Sequence, residues 1–415
     1  MRIAIVCNDT RGGVQPYVAL ARGLRGAGHH VQAVAPSGLT EMFGDAGIPV
    51  TALSGDVQAI VRDSGGAAER GALASLVFAA RQLPRVMETW MRETLDGCSG
   101  ADLITGGIGG MGTGLAVADV LGVPFVEAHL QPVGMPTDAY PGVLMPWMPR
   151  WAGAGALRLS HTLSEAALWG SMAGPTRRAR RRVLGLRGAP RSNRDQPVLY
   201  GFSPEVVRVP SNGARRRHTT GYWTLPLEAA WEPPAALAAF LAADGPPVVS
   251  IGFGSMASED PAALAALARG AASDAGARAV LLSGWGGLAG APDDDTALTI
   301  DAVPHEWLFR HVAAIVHHGG AGTTGASLRA GVPVTVVPFT MDQPFWGARV
   351  TALGVGPTPI PRTRLTRERL ASALRRSLDD DAMRGRAAAL GERIRAEDGV
   401  AEAVRQFEAL AAGRG

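Results

Sequence analysis

A buried strand that runs into a glycine-rich turn and then a helix stands at the start of the chain and recurs past its middle. The first copy has an apolar strand at Ile3–Cys7, a turn at Thr10–Gly13 and a helix over Val14–Gly26. A β-branched run, His30–Val34, follows. This order of strand, helix and strand predicts a parallel sheet, because parallel neighbours need a crossover connection.

The same plan begins again at Pro247–Met256, where an apolar strand enters a second glycine turn. Further apolar runs alternate with helical stretches in this half, at Ala279–Leu282, Ala314–His317 and Val334–Val337. A chain of 415 residues is also too long for one ordinary core. We therefore expect an α/β protein with two facing Rossmann-like domains and a ligand cleft between them, beyond the carboxyl ends of the strands.

A proline-rich stretch marks the expected boundary between the two domains. Pro226 and the pair Pro233-Pro234 interrupt longer periodic stretches. The sequence predicts an N-terminal domain over residues 1–224, a linker over 225–236 and a C-terminal domain over 237–395. We expect residues 396–415 to form a helix that packs back toward the N-terminal domain.

The charge balance excludes several classes of function. All 40 basic residues are arginine, and 37 acidic residues leave a formal net charge of +3. This balance argues against a nucleic-acid surface.

Cys7 and Cys98 lie far apart without a CxxC pair, which predicts neither a disulfide framework nor a zinc site. The first apolar run ends at Asn8, too soon for a signal peptide, and no apolar run of about 18 residues follows. We expect a cytoplasmic protein without stable membrane insertion, of unknown oligomeric state.

The most informative segment reads VHHGGAGTTGASLRAG, over Val316–Gly331. A strand ending at His318, a small-residue turn and a helix from Thr323 or Thr324 are typical of a diphosphate site, since the helix N-terminus offers free amides and a favourable dipole. The turn Gly252–Ser255 offers a second anion contact. Such turns also occur merely to pack a helix on a sheet. The segment matches neither GxxxxGK[ST] nor a clean GxGxxG with its acidic partner, which argues against ATP and NAD.

A second polar loop, Pro338–Pro344, follows the next buried strand. Its carboxylate and carboxamide, Asp342 and Gln343, suit the vicinal hydroxyls of a sugar ring. The same two residues are equally able to cap the following helix. Five apolar side chains elsewhere either line an acceptor pocket or fill a core. For any one of them taken alone we expect a place in the core: Met145, Trp147, Met148, Trp151 and Trp169.

Several strings together resemble the UDP-glycosyltransferase family, especially its sterol glucosyltransferase and bacterial antibiotic glycosyltransferase branches. They are TRGGVQPYVAL near the start, TGYW at 220–223, IGFGSM at 251–256, and the run from DAVPHEWLF through HHGGAGTTGASLRAGVP to PFTMDQPFWGARV. The resemblance spans nearly the whole chain. It implies the GT-B fold, two facing Rossmann-like domains with an inter-domain cleft.

The resemblance assigns a donor site residue by residue. It implies that the diphosphate is held by His318, Gly320, Gly322 and Thr323, with Ser255 nearby. It further implies that Val303 meets the base, that Trp285 packs near the nucleotide, and that Asp342 and Gln343 hold sugar hydroxyls. The plant branch carries a stacking Trp and a ribose-binding Glu where this chain has Ala302 and Ala326, so the choice between UDP and dTDP stays open.

One departure from the family concerns the catalytic base. Related enzymes carry an Asp in TRGDVQP, placed to take the acceptor proton, and here that position is Gly13. Three explanations compete. The first is a relocated base, for which the candidates are Asp9, Glu127, His129 and Asp138. The others are an acceptor that ionises easily, such as a phenol, an enol-like carbon or a nitrogen, and a chain that is a poor or inactive catalyst.

The sequence therefore predicts an inverting, metal-independent glycosyltransferase without a cofactor. It would move a hexose or deoxyhexose from a UDP- or dTDP-sugar to a small hydrophobic acceptor such as a polyketide, an aromatic natural product or a sterol-like molecule. Two alternatives stand beside this prediction: a UDP-sugar epimerase, and a catalytically impaired, donor-binding homologue that stabilises a partner transferase.

Overall fold

The computed structural model describes residues 1–55, 72–188, 196–209, 216–228, 230–256, 258, 260–284, 288 and 293–412. The chain divides into two compact units. The first contains the chain before residue 56, Leu76–Leu225, and the chain from Glu397 onward. The second contains residues 72–75 and Pro226–Ala396. The division thus falls inside the proline-rich stretch predicted as the linker.

The first unit is built around a seven-stranded parallel sheet of order β3-β2-β1-β4-β5-β6-β7. Its strands are β1 (Arg2–Val6), β2 (His30–Pro36), β3 (Val50–Leu53), β4 (Leu103–Gly106), β5 (Phe125–His129), β6 (Val198–Tyr200) and β7 (Arg217–Thr219). Its helices before the boundary are α1 (Arg11–Gly26), α2 (Glu41–Gly44), α3 (Ala72–Gly97, of which the part from Leu76 onward belongs to this unit), α4 (Ile108–Leu121) and α5 (Ala154–Val183).

The second unit holds a five-stranded parallel sheet of order β10-β9-β8-β11-β12. Its strands are β8 (Val248–Gly252), β9 (Arg278–Leu282), β10 (Ala297–Ile300), β11 (Ala314–His317) and β12 (Val334–Val336). Its helices are α6 (Ala235–Ala242), α7 (Pro261–Asp274), α8 (His305–Leu308), α9 (Ala321–Ala330), α10 (Gln343–Ala352), α11 (Arg367–Asp379) and α12 (Asp381–Arg395). One further helix, α13 (Gly399–Ala412), returns to the first unit.

The central strands are apolar on both faces because helices cover both sides of each parallel sheet. In β1 every residue after Arg2 is buried, and β8 is buried throughout. Both cysteines are buried and unpaired, as the sequence predicts. No helix in the described ranges is long and apolar enough to cross a bilayer. The two α/β units and their parallel sheets confirm the predicted fold class.

Two helices begin earlier than the sequence indicates. Helix α1 starts at Arg11 rather than Val14, so Gly12 and Gly13 belong to its first turn. Helix α9 starts at Ala321 rather than at the threonines. The cost of glycine to helix propensity applies to the interior of a helix, and these glycines lie in the first turn. The glycines therefore lie inside the helix N-termini rather than in separate turns.

The last helix is part of the first unit through its packing on α1. Val400 contacts Gly23 so closely that a Cβ there would lie 2.2 Å from its Cγ1. Ahead of α13, the Glu397 carboxylate accepts a 2.6 Å hydrogen bond from the Ser203 hydroxyl. Phe407 is completely buried. The end of the described chain thus supports the helix that carries Gly13.

We expect Phe407→Ala to lower the free energy of unfolding of the first unit by about 3–5 kcal/mol, because it removes a fully buried aromatic side chain and leaves a cavity. Glu408→Ala, one residue along and exposed, is the control and is expected to change stability little. Urea melts of both variants measure the difference, and equal losses would show that α13 does not contribute core packing.

Candidate functional site

Each sheet has a switch point where chain connections leave in opposite directions, and ligands of open α/β sheets bind at such points. In the first unit it lies between β1 and β4, and in the second between β8 and β11. Asp9 and Gly13 follow β1, Ser255 follows β8, and His318 follows β11. These four residues thus lie at two switch points, one in each unit.

His317 organises the turn after β11. Its Nδ1 accepts a 2.8 Å hydrogen bond from the Gly319 amide, and its Nε2 lies 3.1 Å from the Ser327 hydroxyl. Because the Ser327 hydroxyl donates to the Thr324 carbonyl, Nε2 of His317 carries the proton. Gly319 takes a φ of +91°, which favours glycine. His317 is therefore a structural residue that fixes the direction of its neighbour.

His318 is the central side chain of this switch point and is 8% exposed. A Cβ at Gly254 would lie 2.8 Å from its Cε1, and a Cβ at Gly320 would lie 2.5 Å from its Nε2. The ring therefore fits only between two glycine backbones. Within the described residues its buried Nδ1 has no hydrogen-bond partner. Burial, with a smaller contribution from His305, lowers the pKa of His318 to about 4, so the ring is neutral at pH 7.

Helix α9 presents its N-terminus beside this ring. Gly320 is the N-cap, in extended conformation and without a side-chain cap, and Gly322 and Thr323 lie in the first turn. The amides of this turn have no intrahelical acceptor and carry the positive end of the helix dipole. Together with the unpartnered Nδ1 of His318, they form a site suited to an anion such as a diphosphate.

The remaining predicted nucleotide contacts are less defined. Ser255 is half-buried in the turn after β8, next to Gly254, whose φ is +61°. Val303 is half-buried and packs on the apolar cluster of β8, β9 and β11. Trp285 lies outside the described residues. Ser255 is thus close to His318 in the chain fold, whereas Val303 contributes to the core as well.

The predicted sugar loop is the start of α10. Asp342 is its N-cap, and its carboxylate accepts a 2.8 Å hydrogen bond from the Trp346 ring nitrogen. The Gln343 side chain is buried and accepts from the amides of Phe339 and Thr340. Met341 has a φ of +55°, the one positive value outside glycine among the described residues. Such strain is typical of functional loops, while Gln343 stabilises the loop itself.

At the first switch point Asp9 and Gly13 are in direct contact. A Cβ at Gly13 would lie 2.2 Å from Cγ and 2.3 Å from Oδ2 of Asp9. Oδ1 of Asp9 accepts a 2.6 Å hydrogen bond from the Thr10 amide. Burial raises the pKa of Asp9, and its hydrogen bonds to Thr10 oppose this shift. A carboxylate therefore stands where a side chain at position 13 would stand.

The other base candidates are placed differently. His129 is completely buried, and its Nε2 lies 2.9 Å from the Glu127 carboxylate on the same strand. Asp138 is half exposed and forms a 2.7 Å ion pair with Arg158. Asp138 therefore lies on the surface, and His129 lies in the interior. Neither stands beside Gly13 in the manner of Asp9.

Two structural features were missed by the sequence analysis. The run Gly106–Gly110 opens α4 against the end of β1: a Cβ at Gly109 would lie 2.1 Å from the Asn8 carbonyl oxygen, and one at Gly110 1.9 Å from that of Val6. Its signal is the string TGGIGGMG after a strand. The exposed Trp147 and Trp151, at 71% and 88%, show that the expected core role was wrong for both.

No group of three or more His, Cys, Asp or Glu side chains within the described ranges is arranged to hold a metal ion. The site instead offers backbone amides, a neutral imidazole and hydroxyl groups. The expectation of metal independence stays a prediction.

Comparison with known proteins assigns relatives to both halves of the chain. Residues 287–410 match the family described as Erythromycin biosynthesis protein CIII-like, C-terminal domain. A Sterol 3-beta-glucosyltransferase of Cryptococcus neoformans is 33% identical over 97% of this chain. The chain spans 27% of the length of that relative.

Solved structures share the fold along the whole chain. The glycosyltransferase SnogD from Streptomyces nogalater has a TM-score of 0.65 at 22% identity, covering 99% of both chains. The glycosyltransferase SsfS6 of Streptomyces sp. SF2575, complexed with thymidine diphosphate, has a TM-score of 0.64 at 22% identity, covering 98% of this chain and 99% of its own.

The lowered pKa of His318 predicts a pH dependence of stability. Between about pH 6.5 and 4 the unfolded chain binds a proton at this residue that the folded chain does not, so the free energy of unfolding falls as pH falls. One proton corresponds to about 1.4 kcal/mol per pH unit. We expect His318→Gln to reduce the slope by about one proton in urea melts, and to leave the slope between pH 7 and 8 unchanged. An equal slope below pH 6 would contradict the neutral ring.

Proposed function

The chain belongs to the UDP-glycosyltransferase family and has the GT-B fold, and from this premise we propose that it is a glycosyltransferase. Its donor is a hexose or deoxyhexose linked to UDP or dTDP, and its acceptor is a small hydrophobic molecule. The observation that carries the proposal is the His318 site in the second unit. A neutral, buried ring with an unpartnered Nδ1 stands beside the N-terminus of α9 and is suited to a diphosphate.

The reaction is a single in-line displacement with inversion at the anomeric carbon. The acceptor oxygen attacks C1 as the bond from C1 to the diphosphate oxygen breaks, and the electron pair leaves with the diphosphate. The first-turn amides of α9 and the ring N–H of His318 stabilise the growing negative charge. These fixed dipoles supply the stabilisation that a divalent cation provides in other phosphate sites, so the proposed mechanism is metal-independent.

In this proposal each unit binds one of the two substrates. The second unit holds the donor through Ser255, His318 and the start of α9, with Asp342 on the sugar hydroxyls. The first unit binds the acceptor, and its exposed Trp147 and Trp151 supply apolar surface. Relatives named for a sterol and for an antibiotic pathway favour an acceptor that is sterol-like, a polyketide or an aromatic natural product.

Gly13 supports one rival function. A chain without a carboxylate at that position resembles a catalytically impaired homologue that binds donor and stabilises a partner transferase. The rival predicts binding of UDP without turnover. A UDP-sugar epimerase, the other rival, would change the donor in the absence of an acceptor.

We expect release of UDP or dTDP from the sugar nucleotide only when an acceptor is present, and a product with inverted anomeric configuration in its proton NMR spectrum. EDTA is expected to leave the rate unchanged. A panel of phenols, alcohols and steroids provides the acceptors. Retained configuration, or donor isomerisation without acceptor, would contradict the proposal. His318→Gln is expected to lower the rate by about 10²-fold or more, because it alters the stabilisation of the leaving group.

We expect Asp342→Asn to weaken binding of UDP-glucose by roughly tenfold while leaving UDP binding unchanged, because only the sugar loses a charged hydrogen-bond acceptor. The asparagine oxygen can still accept from Trp346, so the loop is retained. Calorimetric titration with both ligands measures the difference. Asp274→Asn, which removes a surface partner of Arg367, is the charge-matched control. Equal weakening of both ligands would assign Asp342 to the loop rather than to the sugar.

A further inference from the structure

We propose that the Asp9 carboxylate takes the acceptor proton, in place of a carboxylate at position 13. The inference rests on the proposed transferase function and names the catalytic residue that this function lacks at Gly13. It follows from the contact between the two positions in the first turn of α1.

The geometry makes the two positions mutually exclusive. A Cβ at Gly13 would lie 2.2 Å from Cγ, 2.3 Å from Oδ2 and 2.7 Å from Cβ of Asp9. Packed carbon atoms stay about 3.5–4.0 Å apart. A rotation of the Asp9 side chain relieves the first two contacts but not the third, because its Cβ is fixed to the backbone. A carboxylate fits at position 9 or at position 13, not at both.

The hydrogen bonds of Asp9 differ from those of a helix cap. An N-cap side chain accepts from the second or third amide of the helix. Here the amide of Gly13, third in α1, donates to the Thr10 carbonyl at 2.9 Å. Oδ1 of Asp9 accepts from the Thr10 amide, which directs Oδ2 toward Gly13. The side chain is thus oriented by Thr10 at the carboxyl end of β1.

The surroundings of Asp9 favour proton uptake. The side chain is partly buried, and this burial raises its pKa. A carboxylate with a raised pKa is a stronger base. His129, by comparison, is completely buried, and Asp138 is held by Arg158 on the surface. Asp9 combines partial exposure with a place at the switch point.

The step balances without any further reactant. The acceptor oxygen forms its bond to C1 of the sugar while its proton passes to Oδ2 of Asp9. The bond from C1 to the diphosphate breaks, and its electron pair leaves with the diphosphate. The Asp9 carboxyl then returns the proton to water.

The first test is the isosteric Asp9→Asn substitution, which keeps the Thr10 hydrogen bond and removes the base. We expect kcat/KM to fall about 10²–10⁴-fold with an alcohol acceptor. With 2,4-dinitrophenol, which is almost fully ionised at neutral pH, we expect a change of a few-fold at most. UDP binding is expected to stay unchanged. A structural role would lower both activities alike, so equal losses would overturn the proposal, as would full activity with the alcohol.

The second test exchanges the two positions. We expect Gly13→Asp alone to lower Tm and to give no gain in rate, because its Cβ meets Asp9. Gly12→Asp is the matched control: it adds the same charge one residue earlier, where no atom lies within 4 Å. It is expected to keep both Tm and activity. Asp9→Gly should lose alcohol transfer, and the double variant Asp9→Gly with Gly13→Asp should recover it.

The outcomes separate this inference from the proposed function. If the unaltered protein transfers sugar and Asp9→Asn matches it, only the assignment of Asp9 falls. If Gly13→Asp alone becomes the active form while the unaltered protein binds UDP without turnover, the proposed function fails for this chain, and Asp9 is not its base.

Discussion

Burial of the His318 imidazole between two glycine backbones is the contact on which the site of the second unit depends. A methyl group at Gly254 or at Gly320 would meet the ring, so both positions need glycine for packing before any ligand is considered. The same burial keeps the ring neutral, leaves Nδ1 without a hydrogen-bond partner among the described residues, and places the ring against the N-cap of α9. The glycines thus set the shape, the charge state and the direction of the anion site together.

In the first unit too, a glycine leaves space for a neighbouring functional side chain, which here is a carboxylate. Gly13 leaves room on α1, and Asp9 fills that room with a carboxylate from the loop before the helix. A contact of this kind couples the two positions: changing one changes what the other can be. Loss of the family's carboxylate at position 13 and presence of one at position 9 are, in the proposed mechanism, one exchange rather than two independent events.

The architecture could be predicted from the sequence because each half of the chain repeats the same order of apolar strand, glycine-rich turn and helix. Strand β11 and the His318 turn followed from local pattern alone. The contact between Asp9 and Gly13 could not be predicted in this way, because it depends on the residue at which α1 begins. Two glycines at that point make the start of the helix hard to locate from sequence. The close approach of Gly109 to Asn8 joins residues far apart in the chain. A hydrophobic pattern predicts local helices and strands, but it does not predict which distant residues come into contact. Trp147 and Trp151 were wrongly expected in a core because composition does not reveal which apolar residues stay exposed.

Nitrogen NMR of the protein with ¹⁵N-labelled histidine, with the His318 signal assigned by comparison with His318→Gln, tests whether this ring contacts the diphosphate. At pH 7 the ring should be neutral in the free protein and should stay neutral on addition of UDP, with Nδ1 shifting as it gains a hydrogen bond to the diphosphate. A His318 signal that does not move when UDP binds would contradict the account, because the anion would then lie elsewhere.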